Sequence, residues 1–356
     1  MMQPTTVKAP FPYFGGKSKI APLFWRRVGI VKNFCEPFCG SCATLLARPL
    51  TFDCSKTVND LNAWLTNAWR GIQLFPKATA RFCDWPVSEL DLHSRGDGCF
   101  YRQSEIRGLC ETMGYATRCR FGGACPCVNG TPAGFIEWMR ADCGRVCPAL
   151  AGIWVWGCCA WIGDNWSYLS HNAKRDADGE PVAVTKALPH LGNRGVGVNR
   201  KLPHLGDRGQ AIRAYFRALA QRLRDVRICC GDWQRILTEA PTTTLGLTAV
   251  FLDPPYGFVG RDACYGDDDS LTVAADVRQW CLEHGDDPLL RICLCGYASE
   301  GHEELEQHGW DVVAWKTRGG YASSSSRGNE NRHLERLWFS PHCLKAANRF
   351  PLFTET

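Results

Sequence analysis

The stretch Val31-Lys-Asn-Phe-Cys-Glu-Pro-Phe-Cys-Gly-Ser41 decides the fold. Val31 to Glu36 is a short apolar run of strand length, and Ser41 to Ala47 opens a helical pattern. Gly40 therefore falls where the chain turns sharply at the carboxyl end of a strand. A second strand ends at Thr57 to Asn59, and a second helical pattern runs from Leu61 to Leu74. This βαβα opening predicts an α/β fold built on a mostly parallel sheet. Such sheets bind ligands in the crevice outside the carboxyl ends of their strands, which makes Phe34 to Ser41 a candidate ligand loop. The loop lacks the three-glycine fingerprint of dinucleotide sites.

Further along the chain, from about Arg81 to Gln210, periodicity fades while Gly, Pro, Cys and Trp accumulate, which marks an insertion. Regularity returns at Ala211. There Ile212, Tyr215, Phe216, Leu219, Leu223 and Val226 recur at helical spacing, with Arg213, Arg217 and Arg224 off that stripe. Strand-like runs follow at Val226 to Cys230, Ala249 to Leu252 and Leu289 to Leu294, with a helix from Leu271 to Glu283 before the last of them. Trp310 to Trp315 and Arg336 to Phe339 read as a closing antiparallel hairpin on the sheet. The expected organisation is a first part of the main domain over 1–80, an insertion over 81–210, a second part over 211–345 and a tail over 346–356.

A chain of 356 residues with 45% apolar content can fill one large α/β core with such an insertion. No run of eighteen apolar residues and no basic-then-apolar leader is present, so a cytoplasmic protein without a membrane partner is expected. The 21 cysteines are odd in number and include the adjacent pairs Cys158/Cys159 and Cys229/Cys230, which favours reduced thiols over a disulfide framework. Cys125-Pro-Cys127 and Cys143 to Cys147 depart from the usual zinc-knuckle spacing, and no metal is expected.

The net charge of +5 is unevenly placed: residues 181–227 carry +8 and the remainder −3. A basic segment on a nearly neutral body is the footprint of a polyanion partner, although a solvated basic face would read the same way. Within it, Leu188-Pro-His-Leu-Gly-Asn-Arg-Gly195 recurs as Leu202-Pro-His-Leu-Gly-Asp-Arg-Gly209. The duplicated Gly-rich loops offer Arg194, Arg200, Lys201 and Arg208 as candidate phosphate contacts. A surface hairpin with no ligand is the alternative.

The strongest chemical signal is Val250-Phe-Leu-Asp-Pro-Pro-Tyr256. Consecutive prolines end the strand, remove donors and freeze the backbone behind Asp253 and Tyr256. An exocyclic amino nitrogen is a poor nucleophile because its lone pair is delocalised into the ring. The Asp253 carboxylate and the Pro254 carbonyl can accept both of its N–H bonds and aim the lone pair at an electrophile, with Pro255 fixing the turn. Tyr256 can stack on a base taken out of a duplex. Asp253, Pro254, Pro255 and Tyr256 are thus the catalytic candidates, with positioning as their main contribution.

Near the start, Pro10-Phe-Pro-Tyr-Phe-Gly-Gly-Lys17 ends like a phosphate-binding loop, but Phe11 stands where such a loop needs its leading Gly. Asp60 and Asp232 each follow a predicted strand, and at Asp60 a carboxylate can accept hydrogen bonds from both ribose hydroxyls; alone, each would read as a helix N-cap. The order of these motifs resembles the D12 (Dam-like) class of DNA adenine methyltransferases, in particular phage-borne members. Residues 10–17 look like its motif X, and residues 34–42 like its motif I, F-x-E-P-F-x-G-S-G, with Cys42 replacing the last Gly. Trp315 to Tyr321 and Glu335 to Pro341 add to the likeness, which spans roughly 8–75 and 211–345. The resemblance implies a Rossmann-like sheet of the class I S-adenosylmethionine-dependent kind, interrupted by a target-recognition domain. It implies S-adenosyl-L-methionine as cofactor, with Tyr13, Gly15, Gly16, Lys17, Glu36, Pro37, Phe38, Gly40, Ser41, Asp60 and Asp232 as its binding residues. It also implies adenine N6 in double-stranded DNA as the target, a monomer, and a cognate restriction nuclease as a candidate partner. The same tetrad chemistry would serve N4 of cytosine, and a non-catalytic DNA-binding protein could retain the fold.

Two features have simpler readings. The run Ile153 to Trp161 could stack bases but reads better as hydrophobic core. Asp267 to Asp269 precede a helix near Leu271 and read as its cap, not as a metal site.

Overall fold

The computed structural model describes residues 7–11, 13, 16–51, 53–84, 132–142, 144–160, 209–256, 272–298, 300–315 and 335–345. Its strands are β1 (Asn33–Glu36), β2 (Ser55–Asp60), β3 (Val226–Cys230), β4 (Thr248–Leu252), β5 (Leu290–Tyr297), β6 (Asp311–Ala314) and β7 (Glu335–Phe339). They form one seven-stranded sheet in the order β3-β2-β1-β4-β5-β7-β6. Strands β1 to β5 run parallel, and β7 lies antiparallel between β5 and β6. The expectation of a mostly parallel α/β sheet closed by an antiparallel pair is met. From β1 the chain steps outward to β2 and β3, then returns to β4 on the other side of β1. Winding reverses between β1 and β4, and a crevice opens at their carboxyl ends.

Both faces of the central strands are buried, which is why they read as unbroken apolar runs. Along β4, Ala249 and Phe251 join one core while Val250 and Leu252 join the other; along β5, Cys293 and Cys295 alternate with Ile292 and Leu294. On the first face lie α1 (Ala21–Val28), α3 (Ala63–Leu74), α4 (Pro76–Cys83), α5 (Pro132–Ala141), α6 (Pro148–Ala160) and α7 (Gly209–Leu223). Phe24 of α1 meets Phe34 at 5.9 Å and Phe251 at 5.1 Å. On the second face α8 (Val273–His284) buries Val277 and Cys281 beside Trp233, Trp310 and Trp338.

Helix starts lie two residues beyond the sequence expectation. The helix expected from Leu61 begins at Ala63 because the Asn62 side chain accepts hydrogen bonds from the N–H groups of Trp64 and Leu65, both at 3.0 Å. The helix expected from Ser41 is the short α2 (Ala43–Leu46), with Cys42 at its N-cap. Helix α8 takes Thr272 as N-cap; Asp267 to Asp269 lie outside the described residues.

Part of the region 81–210 shares the main core. Helix α4 spans residue 81, and α5 and α6 lie against α3. Phe135 stacks on Trp64 at 4.1 Å. The backbone of α6 approaches so closely that a Cβ at Gly71 would come within 2.5 Å of Ala151 Cβ, and one at Gly152 within 2.5 Å of Thr79 O. Asn67 and the backbone of Cys147 exchange hydrogen bonds of 2.7 and 3.0 Å. The Trp-rich run is α6 itself, with Trp154 and Trp156 buried and Phe11 edge-on to Trp154 at 5.0 Å. The duplicated loops with Arg194, Arg200, Lys201 and Arg208 lie outside the described residues, as do Cys125, Cys127 and Cys143.

Arg217 of α7 and Arg224 just after it are exposed, off the apolar stripe as expected, while Arg213 is half-buried. Arg222 instead turns inward to the backbone carbonyls of Leu46 and Arg48, and burial lowers it to about 10. The described cysteines carry free thiols and are buried, apart from half-buried Cys158. No described helix is long and apolar enough to cross a membrane.

Candidate functional site

The crevice at the reversal point contains a cleft of about 900 Å³, open solvent included. One wall is the turn after β1. Gly40 has φ +45°, and a Cβ there would come within 2.9 Å of Tyr13 Cε1, so Tyr13 of the N-terminal segment packs on the turn only because residue 40 has no side chain. The turn is tied down on three sides. Gly40 N–H donates to Asp60 Oδ2 at 3.0 Å, its carbonyl accepts from Trp69 Nε1 at 2.9 Å, and Cys42 N–H donates to the Cys39 carbonyl at 2.6 Å. Buried Asn59 spans the ends of three strands, its Nδ2 donating to Pro37 O at 3.1 Å and to Gly231 O at 2.9 Å.

Asp60 ends β2 and lines the cleft; its Oδ1 accepts from Asn62 N–H at 3.0 Å, so its two oxygens knit the first turn to the start of α3. Asn62, not Asp60, caps α3. Asp232 does cap a short 3-10 turn, accepting from Gln234 N–H at 2.8 Å, and also lines the cleft. Glu36 sits at the base of the cleft, 2% exposed, with Oε2 lacking a partner in the described structure. Burial pushes its carboxyl well above the usual range, backbone and Thr44 hydrogen bonds opposing, and Asp253 adds to the rise. Glu36, Asp60, Asp232 and Asp253 therefore bring acidic groups to one cleft, opposed there by Lys17.

The far wall is Asp253 and Pro255, delivered by β4 directly beside β1. Lys17 Nζ lies 2.9 Å from Asp253 Oδ1, with the two side chains 6% and 19% exposed. The same ammonium donates to the Tyr256 hydroxyl at 3.1 Å and sits 5.4 Å from the centre of its ring. The Tyr256 ring meets Tyr297 of β5 at 4.3 Å. Burial pushes Asp253 up, while the Lys17 charge and the Lys17 and Tyr256 hydrogen bonds pull it back. Burial opposes the Lys17 charge too, but Asp253, with Cys295 and Glu335 beyond it, holds the ammonium above the usual lysine range.

Of the residues singled out in the sequence, Tyr13, Lys17, Glu36, Pro37, Phe38, Gly40, Ser41, Asp60, Asp232, Asp253 and Pro255 line this one cleft. Pro254 is buried behind it, and Gly16 and Tyr256 adjoin the lining. Gly15 lies outside the described residues. Sequence reasoning missed Asn59, Asn62, Trp233 and Val273 in the walls, and Glu335 and Tyr297 behind the tetrad. Trp233 carries a readable signal, since it follows Asp232 directly; it packs against Phe38 at 6.0 Å. Glu335 pairs with Tyr297 across the β5–β7 ladder, a pairing visible only once the strands are in register.

No protein-family model matches the chain, and no curated protein matches it.

Proposed function

We propose that this protein is an S-adenosylmethionine-dependent DNA methyltransferase acting on an exocyclic amino group, with N6 of adenine as the first candidate and N4 of cytosine as the alternative. The observation that carries the reading is a single cleft, at the sheet's reversal point, with the turn after β1 and Asp60 on one side and Asp253-Pro254-Pro255 on the other. The resemblance to D12 adenine methyltransferases supplies the identity of the ligand, and the strand order with its closing antiparallel pair is compatible with their Rossmann-like sheet.

The residues present suit this cofactor. It carries positive charge, and the cleft is lined by four acidic side chains, of which Glu36 has a buried oxygen without a protein partner in the described structure. Asp60 and Asp232 would hold its polar groups, and Phe38 and Trp233 offer apolar surface. When bound, the cofactor supplies an electrophilic methyl group. Asp253 and the Pro254 carbonyl accept the two amino N–H bonds, so the lone pair is freed from the ring and directed. The consecutive prolines hold both acceptors still, which is where rate enhancement arises in a positioning mechanism. Tyr256 offers its ring to the extruded base.

The test is incubation of DNA with tritiated S-adenosylmethionine followed by digestion to nucleosides. Label in N6-methyladenine is expected, and label only in N4-methylcytosine would move the assignment to cytosine. Asp253→Ala should abolish transfer while DNA binding persists; wild-type turnover in that variant would remove the mechanism.

A further inference from the structure

The resemblance groups Lys17 with the cofactor-holding residues, yet its ammonium is engaged elsewhere. It lies 2.9 Å from Asp253 Oδ1 and 3.1 Å from the Tyr256 hydroxyl, at 5% exposure. Asp253 can accept an amino N–H on either oxygen only as a carboxylate, since a protonated acid turns one oxygen into a donor. Its surroundings oppose that state. Burial is the main opposition, and Glu36 from β1 and Glu335 from β7 face it with further carboxyl groups; Cys295 and Tyr297 from β5 and Tyr256 from its own loop are titratable neighbours held neutral by burial, and the Tyr256 hydroxyl favours the carboxylate. Lys17, arriving from the segment before α1, is the cation in direct contact with it.

We propose that Lys17 is a positioning residue for methyl transfer, which holds Asp253 ionised and aligned with Tyr256 so that the carboxylate can accept the target amine's N–H. The inference rests on the methyltransferase reading and deepens it: the N-terminal segment serves the acceptor side of the reaction as well as the cleft wall. Lys17 bridges the two groups, donating to both, so losing the ammonium removes the charge and the shared anchor together.

The experiment compares wild type, Lys17→Arg and Lys17→Met for cofactor Kd by calorimetry and for kcat of transfer to DNA across a range of pH. For Lys17→Met, the cofactor Kd separates any loss of binding from the effect on turnover, which is read at saturating cofactor. The acidic limb of the variant's kcat profile should move upward by roughly 1–3 pH units, the range by which an opposite charge at close quarters shifts a carboxyl group. Lys17→Arg, which keeps the charge, should restore the limb toward its wild-type position. A Lys17→Met profile with the wild-type limb overturns the proposal, as does weakened cofactor binding with no change in the pH profile. Should Lys17→Met fail to fold, carbon NMR of the Asp253 carboxyl in the wild-type protein decides: an ionised group at neutral pH is expected, and a protonated one overturns the proposal. This last measurement needs no turnover. Wild-type protein that methylates no DNA would sink the functional reading, while the NMR result still judges the Lys17–Asp253 pairing.

Discussion

Cys42 shows at the scale of one residue how the cleft-forming turn is made without the glycine that the resembled motif carries. It has φ 51° and ψ 29°, left-handed, and is the one non-glycine residue with positive φ among those described. That conformation costs an L-residue roughly 1–2 kcal/mol, and here it is held by the bonds around the turn and by full burial of the side chain. Cys42→Gly should therefore lie within about 1 kcal/mol of wild type in denaturant unfolding, lost burial offsetting the relieved backbone. Cys42→Val should lose about 2 kcal/mol or more, because a β-branched residue is an outlier at positive φ. Equal midpoints for the two would mean the turn rearranges freely. Gly40 is stricter, since any Cβ meets the Tyr13 ring at 2.9 Å. Gly40→Ala should weaken binding of S-adenosylmethionine, read by calorimetry, through displacement of Tyr13, and unchanged binding would separate that ring from the ligand site. The turn and the tetrad are each legible in the sequence as local strings. The meeting of Lys17 with Tyr256 is not, because 239 residues separate them and only the return of the chain to β4 brings them together.

Legibility at the scale of elements follows burial geometry. Strands β4 and β5 can be read to within a few residues because apolar runs of that length, buried on both faces, leave an unambiguous signal. Helix α6 is concealed by the same physics. Residues Pro148 to Ala160 are apolar on every side and buried against α3 and α4, so no polar stripe marks a 3.6-residue period. The attachment of α5 and α6 to the sheet runs through Arg70 of α3, 1% exposed. Its Nε donates to Ile228 O of β3 at 3.0 Å, and its Nη1 reaches the carbonyls of Arg145 at 3.0 Å, Asp142 at 3.3 Å and Met139 at 3.5 Å. One guanidinium thus gathers the end of α5 and the approach to α6 onto the strand that leads to Asp232. Truncation leaves several buried carbonyls short of a donor, each worth about 1–3 kcal/mol. Arg70→Ala should accordingly lose at least about 3 kcal/mol in equilibrium unfolding. Hydrogen exchange should rise first in α5 and α6, and a loss under about 1 kcal/mol would show that water replaces the guanidinium without difficulty.

For the molecule as a whole, assembling the cleft and the strand behind it buries carboxyl groups wholly or in part, and this makes stability depend on pH in an unusual direction. Burial raises Glu335 from 4.5 to about 7, with Lys17 pulling it down and Asp253 pushing it further up. Glu36 and Asp253 are raised as well, burial being the main cause in both. A carboxyl whose folded pKa exceeds its unfolded value keeps its proton in the native state while the unfolded chain has already lost one. Below the unfolded pKa both states are protonated and nothing is lost; between the two values each step up in pH favours the unfolded chain, and above the folded pKa the loss is complete. For Glu335 that window runs from about 4.5 to about 7, and at 1.36 kcal/mol per unit the loss is on the order of 3 kcal/mol. The protein should therefore unfold at lower denaturant concentration near neutrality than in mild acid, the reverse of a chain whose carboxylates are mainly salt-bridged. Glu335→Gln removes one of the titrating groups while keeping its size and hydrogen-bonding capacity. Its unfolding midpoint, measured at mildly acidic and at slightly alkaline pH, should fall between the two by clearly less than that of wild type. An undiminished fall would show that Glu335 ionises freely in the folded protein, and that the pH dependence belongs to Glu36 and Asp253, whose carboxyls lie at the cleft itself.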